Sequence, residues 1–227
     1  MDTLRNVEWL RHLSPAEWQA VEAGSRLHKF APGAIVFQPS EEPQSVYVLD
    51  KGRVRIFRVS RSGAEVTLGY VLEGEVFGEL PGFGAHPRES FAAARVPSRV
   101  WKIPLQLLRK VIESRPEVAV EIARQLVERL KRVESRVENL VFGDVRSRLA
   151  TVLLELAKDF GQSNGNRCVL ELPASQGELA TLIGSTRQSV NAALSDLREN
   201  GVLKQERRRL EILDVARLRE IGEPGGS

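Results

Sequence analysis

Residues 185–191 carry the side chains with the most informative chemistry: Ser185, Thr186, Arg187, Gln188, Ser189 and Asn191. Arginine can pair bidentately with guanine and glutamine with adenine, while the positive end of a helix can lie against phosphate. Val190, Ala193 and Leu194 recur at helical spacing, so the polar groups are expected at the exposed start of a helix with an apolar inner face. The pattern predicts base reading in the major groove of duplex DNA.

A second, shorter helix is predicted just before this polar segment. Leu179, Leu182 and Ile183 form its apolar stripe, and Ala180 is small enough to let the next helix cross closely. Gly184 permits the tight turn between the two helices. The spacing predicts a helix-turn-helix, although the same residue types at these offsets also occur in plain helical hairpins with a hydrated face.

Residues 201–213 predict two short strands around a charged turn, which would add a wing to the helix-turn-helix. The turn contains Arg207, Arg208 and Arg209, which are expected to hold phosphate groups. Residues 185–209 carry six basic and three acidic side chains, whereas the whole chain has a formal charge of only +3. The local charge therefore supports a DNA partner and the global charge does not.

The first half of the chain is β-rich, with short runs at 34–38, 45–50, 52–59, 65–71, 75–77 and 99–103. Turns at Gly52, Gly63 and Gly74 separate several of them, which predicts a small antiparallel barrel or jelly roll of the kind that often encloses a ligand. Ser14 and Glu17 predict a capping box for a helix before the first strand. The fold class is therefore α+β.

A long helix is predicted over 116–142, started by a capping box at Ser114 and Glu117. Its apolar residues follow a near-heptad spacing that predicts dimerisation. These residues are Ala119, Ile122, Leu126, Leu130, Val133, Val137 and Leu140. A side stripe with Val120 and Val127 is expected to pack on the barrel, and a helix that packs only on its own barrel is the alternative. The pattern breaks at Gly143, and Asp144 is expected to cap the next helix across a hinge.

The single cysteine, Cys168, excludes an internal disulfide and a cysteine-only metal cage, and it is expected in the core of the second domain. No metal-binding motif is present, no apolar run approaches the length of a membrane span, and we expect a cytoplasmic protein without a membrane partner. Gly161, Ser163 and Gly165 match a nucleophile-elbow pattern, but they follow a helix and precede a strand, the reverse of what that elbow requires. We therefore expect no enzyme activity.

Three segments resemble the cyclic-AMP receptor protein and fumarate and nitrate reduction regulator (CRP/FNR) family of transcription factors: 74–80, 139–145 and 183–190. The resemblance covers nearly the whole chain, including the order of barrel, long helix, hinge and winged helix-turn-helix. It implies a homodimer that binds a pseudo-palindromic operator on double-stranded DNA, acts as an activator and contacts RNA polymerase.

The same resemblance implies a division of the chain into four segments. Residues 1–115 would form a cyclic-nucleotide-binding-like β jelly roll and 116–142 the dimerisation helix. Residues 143–222 would form the winged helix-turn-helix domain and 223–227 a disordered tail.

The resemblance also implies an effector pocket. In cyclic-AMP binders of the family a Gly-Glu-Leu turn holds the ribose, and it matches Gly78, Glu79 and Leu80. An Arg-Ser pair ten residues later binds the cyclic phosphate there, but this chain has Glu89 and Ser90, with Arg88 displaced by one residue.

The pocket residues favour an effector-independent regulator without a cofactor. Glu89 is expected to face the phosphate site and repel an anion. Val133 and Glu134 stand where relatives offer hydroxyl groups to adenine. The alternatives are a cyclic-AMP-dependent regulator, in which Arg88 turns inward, and a ligand-sensing module that does not bind DNA. A lone cysteine disfavours an iron–sulfur sensor, and haem would have to depend on His86 alone.

Overall fold

The computed structural model describes residues 7–42, 44–78, 87–171, 174–206 and 209–223. The chain divides into two compact units, Met1–Leu130 and Lys131–Ser227. The division lies within helix α3 (Pro116–Phe142), which therefore begins in the first unit and ends in the second. Each unit has its own buried core.

The first unit is built from two antiparallel four-stranded sheets. Its strands are β1 (Arg26–Phe30), β2 (Ile35–Phe37), β3 (Ser45–Lys51), β4 (Val54–Val59), β5 (Glu65–Val71), β6 (Val76–Phe77), β7 (Phe91–Ala94) and β8 (Ser98–Pro104). One sheet has the order β1-β8-β3-β6 and the other β2-β7-β4-β5. This is the predicted β architecture, to which the structure adds β1 and β7.

Strand β3 explains how the first core is organised, because it is buried on both faces. Tyr47 and Leu49 point between the two sheets, where they meet Phe37, Phe77 and other apolar side chains. Val46 and Val48 point to the opposite face, which helices cover. A strand covered on both sides reads as a continuous apolar run instead of an alternating one.

Helices α1 (Pro15–Gly24) and α2 (Leu105–Ser114) pack with the start of α3 on that opposite face. The predicted capping box of α1 is confirmed, with Ser14 N donating to Glu17 Oε2 at 2.8 Å and Glu17 N to Ser14 Oγ at 3.4 Å. The capping box predicted at Ser114 is wrong. Ser114 is the last residue of α2, a helix that was not predicted, and its hydroxyl donates to the Val111 carbonyl at 3.1 Å.

The second unit contains the end of α3, four further helices and one antiparallel sheet of order β11-β12-β10-β9 among its described residues. These elements are α4 (Val145–Phe160), β9 (Gln162–Asn164), β10 (Arg167–Glu171), α5 (Gln176–Leu182), α6 (Arg187–Glu199), β11 (Leu203–Glu206), β12 (Arg209–Ile212) and α7 (Val215–Gly222). Asp144 caps α4 by accepting from Ser147 N at 2.7 Å, as predicted. Cys168 is 2% exposed and lies in the core, also as predicted.

Among the described residues, no helix is long and apolar enough to cross a membrane. Nor do the described ranges bring three His, Cys, Asp or Glu side chains together in a group suited to a metal ion.

Candidate DNA interface and effector region

Helices α5 and α6 are joined by the tight turn that the sequence predicts. Ser175 and Glu178 form a reciprocal capping box at the start of α5, at 2.7 and 3.3 Å. Gly184 has φ +59°, a left-handed conformation that glycine adopts without the strain of a side chain. Ser185 N then donates to the Ala180 carbonyl at 2.9 Å and closes the turn. The local sequence thus sets the direction in which α6 leaves the turn.

Helix α6 has a polar first turn, which we call the tip, and a buried apolar inner face. Its inner face buries Val190, Ala193, Leu194 and Leu197. Arg187 and Gln188 are exposed, and Ser185, Ser189 and Asn191 are half-buried. Because the apolar face is anchored in the core, the polar side chains in the first turn of α6 lie on the surface of the unit.

The hydroxyl groups at the tip are part of the helix cap. Thr186 Oγ1 accepts from Ser189 N at 3.1 Å, and the two hydroxyl oxygens lie 2.9 Å apart. Asn191 Oδ1 has no hydrogen-bond partner among the residues that the structure describes. The tip therefore combines a capped backbone with two exposed side chains, Arg187 and Gln188, while the Asn191 oxygen is buried.

The predicted wing is formed by β11 and β12, which pair from Leu203↔Ile212 to Glu206↔Arg209. Arg209 is exposed at its tip, whereas Arg207 and Arg208 lie outside the described residues. A hydrogen bond from Lys204, 3.0 Å away, lowers the pKa of Glu206, and the charges of Lys204 and Arg209 act in the same direction. Glu206 thus remains ionised and partly offsets the basic charge of the wing.

In the first unit, Arg88 is buried in the region where the resemblance implies an effector. Its guanidinium donates to the Gly78 carbonyl at 2.8 Å and to the Ser45 carbonyl at 2.7 Å. It also lies 4.2 Å from the ring centroid of Phe37 and 5.3 Å from that of Tyr47. Burial raises the pKa of Tyr47, an effect that the Arg88 charge opposes, so the ring remains a neutral phenol. Carbonyl groups and aromatic faces thus surround this cation.

The expectation that Glu89 faces the phosphate site is wrong. Glu89 is exposed and pairs with Arg58 on the surface, while its neighbour Arg88 points inward. The two neighbouring side chains point to opposite sides, so the one-residue displacement exchanges their roles. Ser90 is half-buried, and Glu79, Leu80 and His86 lie outside the described residues.

The apolar side chains of α3 divide into two faces. Val118 and Ile122 are buried in the first core at 0% and 3% exposure, and Leu126 packs partly against it. Leu130, Val133, Val137 and Leu140 are all at least 45% exposed. Glu134 is also exposed.

Two expectations for this helix are therefore wrong. Ile122 belongs to the first core and not to an exposed dimer face, and Val120 and Val127 are exposed instead of packing on the barrel. When Ala123 replaces Ile122 in this set of apolar residues, successive members are alternately four and three residues apart. We call this set the apolar stripe: Ala119, Ala123, Leu126, Leu130, Val133, Val137 and Leu140.

Helix α3 also contacts strand β6 through side chains that the sequence did not identify. Val76 N donates to Gln125 Oε1 at 3.0 Å, and Arg129 donates to the Val76 carbonyl at 2.7 Å. Both residues lie on polar positions of an amphipathic helix, where periodicity predicts only exposure. No local signal could have identified them.

Comparison with known proteins agrees with this architecture. The family described as "Cyclic nucleotide-binding domain" matches residues 27–115, and "Crp-like helix-turn-helix domain" matches 147–221. The chain is 32% identical over 195 residues to the "Global nitrogen regulator" of Synechococcus elongatus, covering 85% of this chain and 88% of that protein.

It is also 34% identical to the "CRP-like cAMP-activated global transcriptional regulator" of Mycobacterium tuberculosis, over 83% of this chain and 84% of that one. Among solved structures, a CooA mutant from Carboxydothermus hydrogenoformans superposes with a TM-score of 0.76 at 26% identity and 90% coverage of both chains.

A β-sandwich, a long helix and a helix-turn-helix in this order define a transcription regulator with a DNA-binding domain. The chain belongs to the CRP/FNR family. It is a DNA-binding regulator by family, and that family consists of regulators and not of enzymes.

Proposed function

We propose that this chain acts as a homodimer that activates transcription from a pseudo-palindromic operator, with RNA polymerase as its further partner. The observation that carries the proposal is the exposed tip of α6 above its buried inner face, with Arg187 and Gln188 directed outward. A regulator with this task acts where the chromosome lies, which in a bacterium is the cytoplasm.

Within the operator, Arg187 and Gln188 contact base edges in the major groove. Ser185, Thr186, Ser189 and the wing's Arg209 hold phosphates, together with Arg207 and Arg208, which the sequence pattern assigns to the same role. Asn191, half-buried one turn along α6, completes the predicted set of DNA-contacting residues. Base contacts supply the sequence preference and phosphate contacts the salt-dependent affinity.

The apolar stripe supports the dimer. Four of its large side chains, Leu130, Val133, Val137 and Leu140, are between 45% and 56% exposed in the single chain. A stripe with heptad spacing on a helix buries such side chains against a second copy. Two-fold symmetry then sets the centres of the two half-sites about one turn apart, about 10 to 10.5 base pairs.

Operator binding in this proposal does not require cyclic AMP or another cofactor. The support is Arg88, whose guanidinium already binds two backbone carbonyls and two aromatic faces. A nucleotide phosphate would have to compete with these contacts.

The second candidate is a cyclic-AMP-dependent regulator. It is favoured by the same residue, because Arg88 lies beside Gly78 in the segment that relatives use for their nucleotide. In that case the phosphate would replace the Gly78 and Ser45 carbonyls as the partner of Arg88.

Selection of bound sequences from a random duplex library tests the function directly. The full chain should enrich a two-fold symmetric sequence, and Arg187→Ala should weaken its binding by about 1 to 3 kcal/mol and relax one base pair in each half-site. Arg198→Ala is the matched control, because Arg198 is exposed on the same helix but in its last turn. Equal sequence preference in Arg187→Ala and wild type would show that α6 is not the reading helix.

A further inference from the structure

Two ion pairs join the second half of α3 to α4. Arg132 Nη1 lies 3.1 Å from Asp159 Oδ2. Arg136 holds Glu155 Oε2 with two nitrogens, Nη2 at 2.7 Å and Nε at 3.1 Å. The four side chains are between 14% and 22% exposed, so these pairs are screened by water much less than surface pairs.

The two pairs form a regular ladder. Arg132 and Arg136 are one helical turn apart on α3, and Glu155 and Asp159 are one turn apart on α4. The first arginine pairs with the second carboxylate, and the second arginine pairs with the first. Helices α3 and α4 therefore form an antiparallel hairpin. Farther along it, the buried side chains of Asn139 and Val152 line a common cavity. We call the two ion pairs the hairpin clamp.

The side of α3 that faces α4 carries three polar groups, Arg132, Arg136 and Asn139, with Leu140 at its end. The large apolar side chains of the same half, among them Val133 and Val137, are exposed. Apolar packing tolerates small rotations of a helix, whereas a charged hydrogen bond with two donors depends on direction. The clamp thus adds a directional constraint to the angle between the two helices.

The hairpin also reaches the DNA-reading elements. A Cβ atom on Gly184, in the turn before α6, would lie 2.7 Å from Leu140 Cδ2, so the end of α3 contacts that turn. Arg146 of α4 and Asp196 of α6 form an ion pair at 2.8 Å. A change in the angle between α3 and α4 would therefore move α6 relative to the end of α3.

We propose that the hairpin clamp sets the position of the recognition helix relative to the dimer helix, and so the separation of the two half-sites that a dimer can bind together. This inference rests on the proposed function, because it concerns how the same DNA site is arranged. Arg132, Arg136, Glu155 and Asp159 are positioning residues that do not touch DNA.

The test uses the full chain with both carboxylates neutralised, Glu155→Gln with Asp159→Asn. We expect affinity for the selected two-half-site operator to fall about tenfold, within the usual range of coupling between sites. Affinity for a single half-site should remain unchanged, because one recognition helix binds it alone. Amide hydrogen exchange at residues 143–148 should become faster, while exchange within α6 remains at the wild-type rate.

A charge swap and a matched control distinguish the loss of the clamp from a general loss of stability. Arg136→Glu with Glu155→Arg rebuilds one pair in reverse and should return operator affinity to within about twofold of wild type. Glu121→Gln removes the Arg124–Glu121 pair at 2.9 Å, which lies on α3 alone, and should have no effect on the operator.

The outcomes are distinct. Wild-type operator affinity in the neutralised variant, equal loss on half-site and full operator, or a swap that restores nothing would each overturn the clamp. If wild type enriches no DNA sequence, the proposed function fails. Hydrogen exchange still tests the clamp in that case, because the measurement needs no DNA. An unchanged exchange rate at residues 143–148 in the neutralised variant would refute the clamp.

Discussion

Gly143, between α3 and α4, offers a sharp test of how the hairpin closes. A Cβ atom there would lie 2.8 Å from the Asn139 carbonyl oxygen and 2.7 Å from Ser147 Oγ. Its φ is not in the left-handed region, so alanine would meet a steric problem and not a conformational one. Replacing glycine by alanine at an unstrained site stabilises a protein by about 0.4 to 1 kcal/mol. Forcing an atom into a packed site costs about 1 to 3 kcal/mol, and here the close neighbour is backbone, which cannot rotate away.

We therefore expect Gly143→Ala to lower the free energy of unfolding of the second unit by about 1.3 kcal/mol, the difference between the midpoints of the two ranges, and by no more than about 2.6 kcal/mol. Gly177→Ala is the control with the opposite sign. Gly177 lies inside α5, and its nearest Cβ neighbour would be 3.9 Å away. Alanine in that helix should add about 0.5 to 1 kcal/mol.

Urea unfolding followed by circular dichroism at the helical band measures both variants. The tryptophans, Trp9, Trp18 and Trp101, all lie in the first unit, so their fluorescence reports that unit separately and should not change. If Gly143→Ala is as stable as Gly177→Ala, the close approach of the two helices at residue 143 is not a constraint and the reasoning fails.

Four further expectations follow from the same contacts. Leu130→Asp with Val137→Asp should dissociate the dimer in sedimentation, since an unpaired buried charge costs about 3 to 5 kcal/mol, whereas Val120→Asp, off the stripe, should leave it intact. Operator affinity should not change with cyclic AMP; micromolar calorimetric binding that tightens the DNA complex tenfold, about 1.4 kcal/mol, would contradict this. Arg209→Ala should weaken all DNA sequences alike and reduce the salt slope by about one. Hydrogen bonds from Ser14 lower the pKa of Glu17 from its ordinary 4.5 to about 2, with Arg115 assisting, so its contribution to stability is present above pH 4.5 and lost as the pH falls toward 2. Acid unfolding of Glu17→Gln, followed by tryptophan fluorescence, should lack that loss.

Local patterns in the sequence were sufficient for several elements, although not for α2, β1 and β7. The turn at Gly184, the wing and the Asp144 cap each depend on residues within a few positions of one another, and the structure has all three. Their physics is backbone conformation and capping, which the neighbouring residues determine. The family resemblance likewise depends on short segments, 74–80, 139–145 and 183–190.

Only the tertiary structure decided which neighbour each face meets. A periodic pattern identifies the apolar residues of α3, but it does not decide between the neighbours Ile122 and Ala123 for the exposed stripe. That choice depends on the packing of α3 in the first core, where Ile122 is buried. Arg88 stands one residue before the position where the family pattern has its arginine, and in the structure Arg88 points inward while Glu89 points outward. The sequence alone does not predict which of two neighbouring loop residues points inward, because the path of the loop is set by its tertiary contacts. Sequence spacing measures position along the chain, whereas contacts such as Arg136 with Glu155 depend on how two helices meet in space.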